Sequence, residues 1–222
     1  MTLPVARARN MGAALAAAAL IAAAPLPSFA GAQVEEQLAP SVAAGLQRAI
    51  ADSPIAANYI NRPELQAWLA EMSRRLASRM PDERDRRELL ATVHYEAQRA
   101  GLDPQLVLGV MHHESAFKKF AVSPVGARGY MQVMPFWVKL IGTPDQNLFN
   151  LRTNLRYGCV ILRHYLDIES GDLYRALGRY NGSLGRPEYP SAVVAAIGRQ
   201  WHWEAPAAAP RLGAAPSPVA VR

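Results

Sequence analysis

A carboxylate stands where a helix would be expected to present only apolar side chains. Glu114 follows Val107 by seven residues, Val110 by four and Met111 by three, offsets that share one face of an α-helix. The same position falls near the end of that helical stretch, where the backbone dipole disfavours negative charge. Burial and dipole both favour the neutral carboxyl. A carboxyl that keeps its proton near neutral pH is what general-acid chemistry requires. Taken alone, the residue reads equally well as a helix-end Glu bonded to a nearby backbone group or an arginine.

Two further stretches carry groups suited to a polar polymer. Ser123-Pro124-Val125-Gly126-Ala127-Arg128-Gly129-Tyr130-Met131-Gln132-Val133-Met134-Pro135 has two glycines three apart, which permit unusual backbone angles and close approach of a ligand. Gln132 can donate and accept toward an N-acetyl group or a sugar hydroxyl, and Met134 offers a soft apolar wall. The alternative is an ordinary loop with a buried Gln. The second stretch is Arg179-Tyr180-Asn181-Gly182-Ser183. Tyr180 can stack on a sugar face and donate a hydrogen bond, and Asn181 can bond in both directions. Asn-Gly is also a common turn.

Other reactive residues point elsewhere. His112 and His113 are adjacent, so on a helix they point about 100° apart and do not form the i, i+4 pair that grips a zinc ion; no metal is expected. Cys159 is the only cysteine, which excludes an internal disulfide. It lies in an apolar helical stretch and reads as a small core hydrophobe. No acid occurs from Ser115 to Pro144. A standard glycosidase needs two carboxylates flanking the bond, so this gap favours chemistry with one.

The positioning elements are helical throughout, giving an all-α expectation. Residues 31 to about 80 read as helical, with Pro63 near a helix start and Leu65, Trp68, Leu69, Met72 and Leu76 at helical spacing. A second helix is expected over about 83–100, closed by Gly101. Asp103-Pro104 opens a third, ending near Phe117. After a loop over 118–130, helices are expected at about 135–141, 150–169, 173–180 and 188–201.

Composition sets the frame. The chain has 222 residues, enough for one medium domain. Arg7 and Arg9, an apolar run from Met11 to Ala24 and Ser28-Phe29-Ala30 read as a signal peptide over 1–30, cleaved after Ala30. The bland alternative is a retained anchor, but the run is short and Pro25 and Pro27 interrupt it. No cysteine for lipid attachment follows, and no later segment is long enough to span a membrane. Removing residues 1–30 deletes Arg7 and Arg9 and no acids, taking the net charge from +6 to +4. A mildly basic surface suits an anionic polymer; no basic cluster interleaved with aromatics argues for nucleic acid. From Glu204 onward proline and alanine dominate, a composition expected to be disordered.

Together, His113-Glu114-Ser115, Gly129-Tyr130-Met131-Gln132-Val133-Met134-Pro135 and Tyr180-Asn181-Gly182 resemble the motifs of soluble lytic transglycosylases of the Slt type, in order and spacing. Asn154 and Gly158 fit the helix between those motifs. Arg179 departs from the alanine often found before Tyr-Asn. The resemblance implies a lysozyme-like helical domain over residues 85–203, preceded by a helical extension at 31–84 and followed by the tail at 204–222. It implies Glu114 as catalytic acid, with Ser115, Ser123, Gln132, Met134, Tyr180 and Asn181 along the sugar groove and no cofactor. The implied substrate is the glycan strand of peptidoglycan in the periplasm or outside it, cut between N-acetylmuramic acid and N-acetylglucosamine to leave 1,6-anhydro ends. Three alternatives stand beside it: a muramidase that uses water, a non-catalytic peptidoglycan-binding or secretion-scaffold protein, and an enzyme that opens the wall for a secretion complex.

Overall fold

A computed structural model describes residues 33–51 and 58–204. Within them the chain folds into eight α-helices: α1 (Pro40–Ile50), α2 (Pro63–Leu76), α3 (Glu83–Arg99), α4 (Pro104–Glu114), α5 (Phe136–Ile141), α6 (Leu151–Ile168), α7 (Leu173–Asn181) and α8 (Glu188–Ala196). A 3-10 turn at Tyr59–Asn61 precedes α2, and a π-helical turn at Ile197–Trp201 follows α8. The all-α expectation holds; among the described residues the only β-pairing is two isolated bridges, Val122 with Arg128 and Arg128 with Val133. The signal peptide expected at 1–30 lies outside the described residues, as does the tail beyond Glu204.

Local chemistry sets the helix starts. Pro40, Pro63 and Pro104 occupy first-turn positions, where the missing N–H is not needed. Asp82, Asp103, Asn150 and Asp172 cap α3, α4, α6 and α7 by accepting from backbone N–H groups of the first turn.

Three expectations need correction. Residues 33–39 are extended rather than helical. Proline at 40 restricts the residue before it to extended angles, and Gln33 is held by bonds to another part of the chain. Helix α4 stops at Glu114, three residues early, because Ala116 and Phe117 take left-handed angles (φ 49° and 65°) that no α-helix continues. The last helix changes from α to π at Ile197.

Helix α4 packs on α3 and α8, while α6 packs on α3 and α7, and α2 packs on α3. Val107, Leu108, Val110 and Met111 of α4 are completely buried. Gly109 lets α4 approach the end of α8 closely: a methyl there would sit 2.6 Å from the Ile197 side chain. Cys159 is fully buried, and burial pushes its thiol well above the usual range. Glu96 of α3 and Arg156 of α6, both buried, form a two-pronged ion pair at 2.7 and 3.1 Å. No helix among the described residues is long and apolar enough to cross a membrane.

Candidate active site

The early stop of α4 defines the site. Glu114 is the last helical residue and only 5% exposed, continuing the buried face of Val107, Val110 and Met111. Tyr189, in the first turn of α8, donates its hydroxyl to Glu114 Oε1 at 2.5 Å. Burial, then the neighbouring Glu114 charge, push the Tyr189 hydroxyl well above its ordinary value, so it stays protonated as a donor. Tyr180 on α7 is raised in the same way, by burial first and Glu114 second.

The loop after α4 is folded by side chains rather than by a sheet. Ser115 Oγ donates to Tyr130 O at 2.7 Å. Gln132, itself at φ 49°, donates its amide to Gly129 O at 2.9 Å and Ala121 O at 3.1 Å. Ser123 Oγ accepts from Ala127 N at 3.1 Å. Asn154 of α6 is the hub: Oδ1 accepts from Met131 N, and Nδ2 donates to Arg128 O and Leu148 O, all at 2.8 Å. Gly129 has φ 76°, and a methyl there would meet Leu148 O at 2.7 Å, so both angle and space require glycine. Gly158 lets α6 lie directly against Met131; a methyl would sit 2.7 Å from Met131 Cβ.

The structure thus brings the seven residues singled out from sequence into one region but divides their work. Glu114 is the buried acid. Tyr180 does not offer a ring face: it is completely buried, and its hydroxyl donates to Met131 O at 2.8 Å. Gln132 is 1% exposed with both amide protons committed, so its NH₂ group does not reach for a sugar. Ser115 is likewise an internal brace. Ser123 and Met134 remain half-buried. Asn181 is buried at the end of α7, where Gly182 (φ 75°) turns the chain away. A separate cleft of about 1490 Å³ between α2, α3 and the start of α6 is lined by none of these residues.

Tyr189 and Gln33 were missed. Tyr189 is a lone aromatic in a Pro-Glu-Tyr-Pro run, and nothing in its spacing ties it to Glu114. Gln33 lies far upstream and belongs to no motif. His113 hydrogen-bonds Ala192 O at 2.9 Å, and the His112 ring packs edge-on against Trp201 and Phe117. Burial lowers both imidazoles, His112 to about 4, so both are neutral at neutral pH.

Residues 91–191 match the family model of the transglycosylase SLT domain. The chain is 33% identical over 132 residues to a transglycosylase of Enterobacteria phage PRD1, a match covering 56% of this chain and 49% of the phage protein. It is 49% identical over 115 residues to membrane-bound lytic murein transglycosylase C of Actinobacillus pleuropneumoniae serotype 5b, covering 45% of this chain and 32% of that protein. A protein of the same name from Mannheimia succiniciproducens is 36% identical over 66 residues, covering 30% and 17%. The chain therefore spans about half or less of the length of these relatives. With Glu114 buried at the end of α4 and the loop from Ser115 to Met134 folded onto α6, residues 91–191 are similar to the transglycosylase SLT domain, and the fold is the lysozyme-like helical one.

Proposed function

We propose that this chain is a lytic transglycosylase that cuts peptidoglycan glycan strands between N-acetylmuramic acid and N-acetylglucosamine. The observation that carries the reading is Glu114, a buried carboxyl at the end of α4 that accepts a hydrogen bond from Tyr189. That arrangement suits one group working first as acid and then as base. The similarity to proteins named transglycosylase and lytic murein transglycosylase supports the same reaction class.

The reaction runs in two steps. Protonated Glu114 gives its proton to the glycosidic oxygen as the bond to the anomeric carbon breaks. The substrate's own N-acetyl oxygen stabilises the positive charge left at that carbon. The Glu114 carboxylate then takes the proton of the 6-hydroxyl, whose oxygen closes on the anomeric carbon and leaves a 1,6-anhydro ring. No water is consumed. The hydrogen bond from Tyr189 strengthens as Glu114 becomes charged, so it helps stabilise the carboxylate formed in the first step. Acid–base assistance of this kind contributes roughly 10²–10⁴-fold. Met134, Ser123 and Asn181 are the side chains assigned to sugar contacts. The activity is assigned to the periplasm or outside it, a reading supported by the leader-like residues 1–30 and by the relatives named lytic murein transglycosylase.

Digestion of purified sacculi followed by mass spectrometry is the test. Anhydro-ended muropeptides are expected from the wild-type chain and none above background from Glu114→Gln, which should fold normally. Reducing ends would assign a hydrolytic muramidase instead. Binding to sacculi without released fragments would leave a non-catalytic wall-binding protein.

A further inference from the structure

The extended arm before α1 does more than lead into the helix. Gln33 on that arm is 4% exposed and inserts its side-chain amide beside the loop that follows α4. Its Nε2 donates to Gln132 O at 3.3 Å. Its Oε1 accepts from Met134 N at 3.2 Å and from Trp137 Nε1 at 3.1 Å. Met131, the residue before Gln132, has its carbonyl bonded by the Tyr180 hydroxyl, which lies in the field of Glu114. Three residues further on, Glu36 pairs with Arg179 at 3.3 Å, and Arg179 is also held by Glu169.

The pattern of these bonds has a clear logic. Gln132 ends a turn (φ 49°), and Val133 after it forms an isolated antiparallel bridge with Arg128. On one side Val133 exchanges both of its backbone bonds with Arg128, each at 3.0 Å. On the other side Gln132 O and Met134 N have no neighbouring strand, and the Gln33 side chain takes both. One amide thus replaces a missing strand edge. Removing it would leave buried backbone groups without those partners in the segment that carries Met134, next to Tyr180.

We propose that Gln33 is a positioning residue for the transglycosylase site: from outside the matched domain it fixes the Gln132–Met134 segment of the loop that follows Glu114, with Glu36–Arg179 latching the arm in register. This rests on the functional reading above. A displacement of about 1 Å in groups that position a substrate can lower turnover by roughly 10²-fold, so the effect should fall on catalysis as well as on stability.

The test is steady-state release of muropeptides from sacculi by the full chain and by Gln33→Ala, at a temperature where circular dichroism shows both folded. The expected result is a fall in kcat of roughly 10-fold or more with a smaller change in KM. Should Gln33→Ala melt below the assay temperature, Gln33→Glu is measured in its place. It keeps the acceptor for Met134 and Trp137 and loses the donor to Gln132. Wild-type kcat and KM in the folded variant overturn the inference, even where its melting midpoint is lower, because a brace that serves stability alone would move only the midpoint. Faster turnover overturns it too, marking the arm as an obstruction. A wild-type chain that releases nothing overturns the functional reading, and this inference with it.

Discussion

Asn154 is where the loop beside Glu114 can be broken with a change of one atom type. Its side chain is 1% exposed and makes three bonds at 2.8 Å, accepting from Met131 N and donating to Arg128 O and Leu148 O. Asn154→Asp preserves the shape. One carboxylate oxygen still accepts from Met131 N, but the other faces two carbonyl oxygens with no proton to offer. Two buried acceptors lose their donor at about 1–3 kcal/mol each, so the variant should be destabilised by about 2–6 kcal/mol. That is a large share of the ~5–15 kcal/mol that holds a domain together. The deficit carries a pH signature. A protonated carboxyl recovers one O–H donor, so the folded state binds that proton more tightly than the unfolded chain, where an Asp titrates near about 4. The variant's stability relative to wild type is therefore greatest below about pH 4 and falls as pH rises through the raised folded value. Urea unfolding of both proteins, followed by far-UV circular dichroism at neutral and mildly acidic pH, measures this. Equal midpoints at neutral pH, or a deficit that does not shrink on acidification, would refute the reasoning.

Other consequences are as direct. Tyr189→Phe removes the hydroxyl that donates to Glu114 Oε1; a hydrogen bond to a charged group is worth about 1.5–3 kcal/mol, so muropeptide release should fall by roughly 10- to 100-fold with the fold intact. Glu96→Ala leaves Arg156 buried beside an empty position and should cost about 3–5 kcal/mol in urea unfolding, whereas replacing both partners with apolar residues should recover most of that loss. His112 is lowered by burial to about 4, so the unfolded chain takes up a proton at about pH 6.5 that the folded chain refuses. Stability should decline as pH falls from about 6.5 to about 4, and His112→Gln should flatten that slope in thermal scans.

Helix positions were legible in the sequence because their causes are local. Asp103-Pro104 and Asn150 act within their own first turns, and the apolar spacing of α3 and α4 reports one buried face each. Glu114 could be read for the same reason, as a charge breaking a hydrophobic stripe. The stop of α4 could not be read: Ala116 and Phe117 are not residues that choose left-handed angles, and what compels them is the loop braced against Tyr130 O by Ser115. Residues 33–39 failed as a helix because a contact some hundred residues away holds Gln33. For Tyr180 and Gln132, residue type shows what a group can bond, not which way it faces.

That last point explains why the motifs read as sugar-binding when most of them face inward. The stretch from Ala121 to Met134 has only two isolated bridges, so strand neighbours cannot satisfy its carbonyls. Side chains do so instead: Ser115 bonds Tyr130 O, Gln132 bonds Ala121 O and Gly129 O, Asn154 bonds Arg128 O and Tyr180 bonds Met131 O. Buried carbonyls without donors are expensive, and hydroxyl and amide side chains are the remedy available where no sheet forms. These residues therefore build the irregular backbone that faces Glu114, and they affect chemistry through its shape. In the proposed reaction the proton transfer itself stays with the carboxyl that ends α4 and the tyrosine hydroxyl that steadies it.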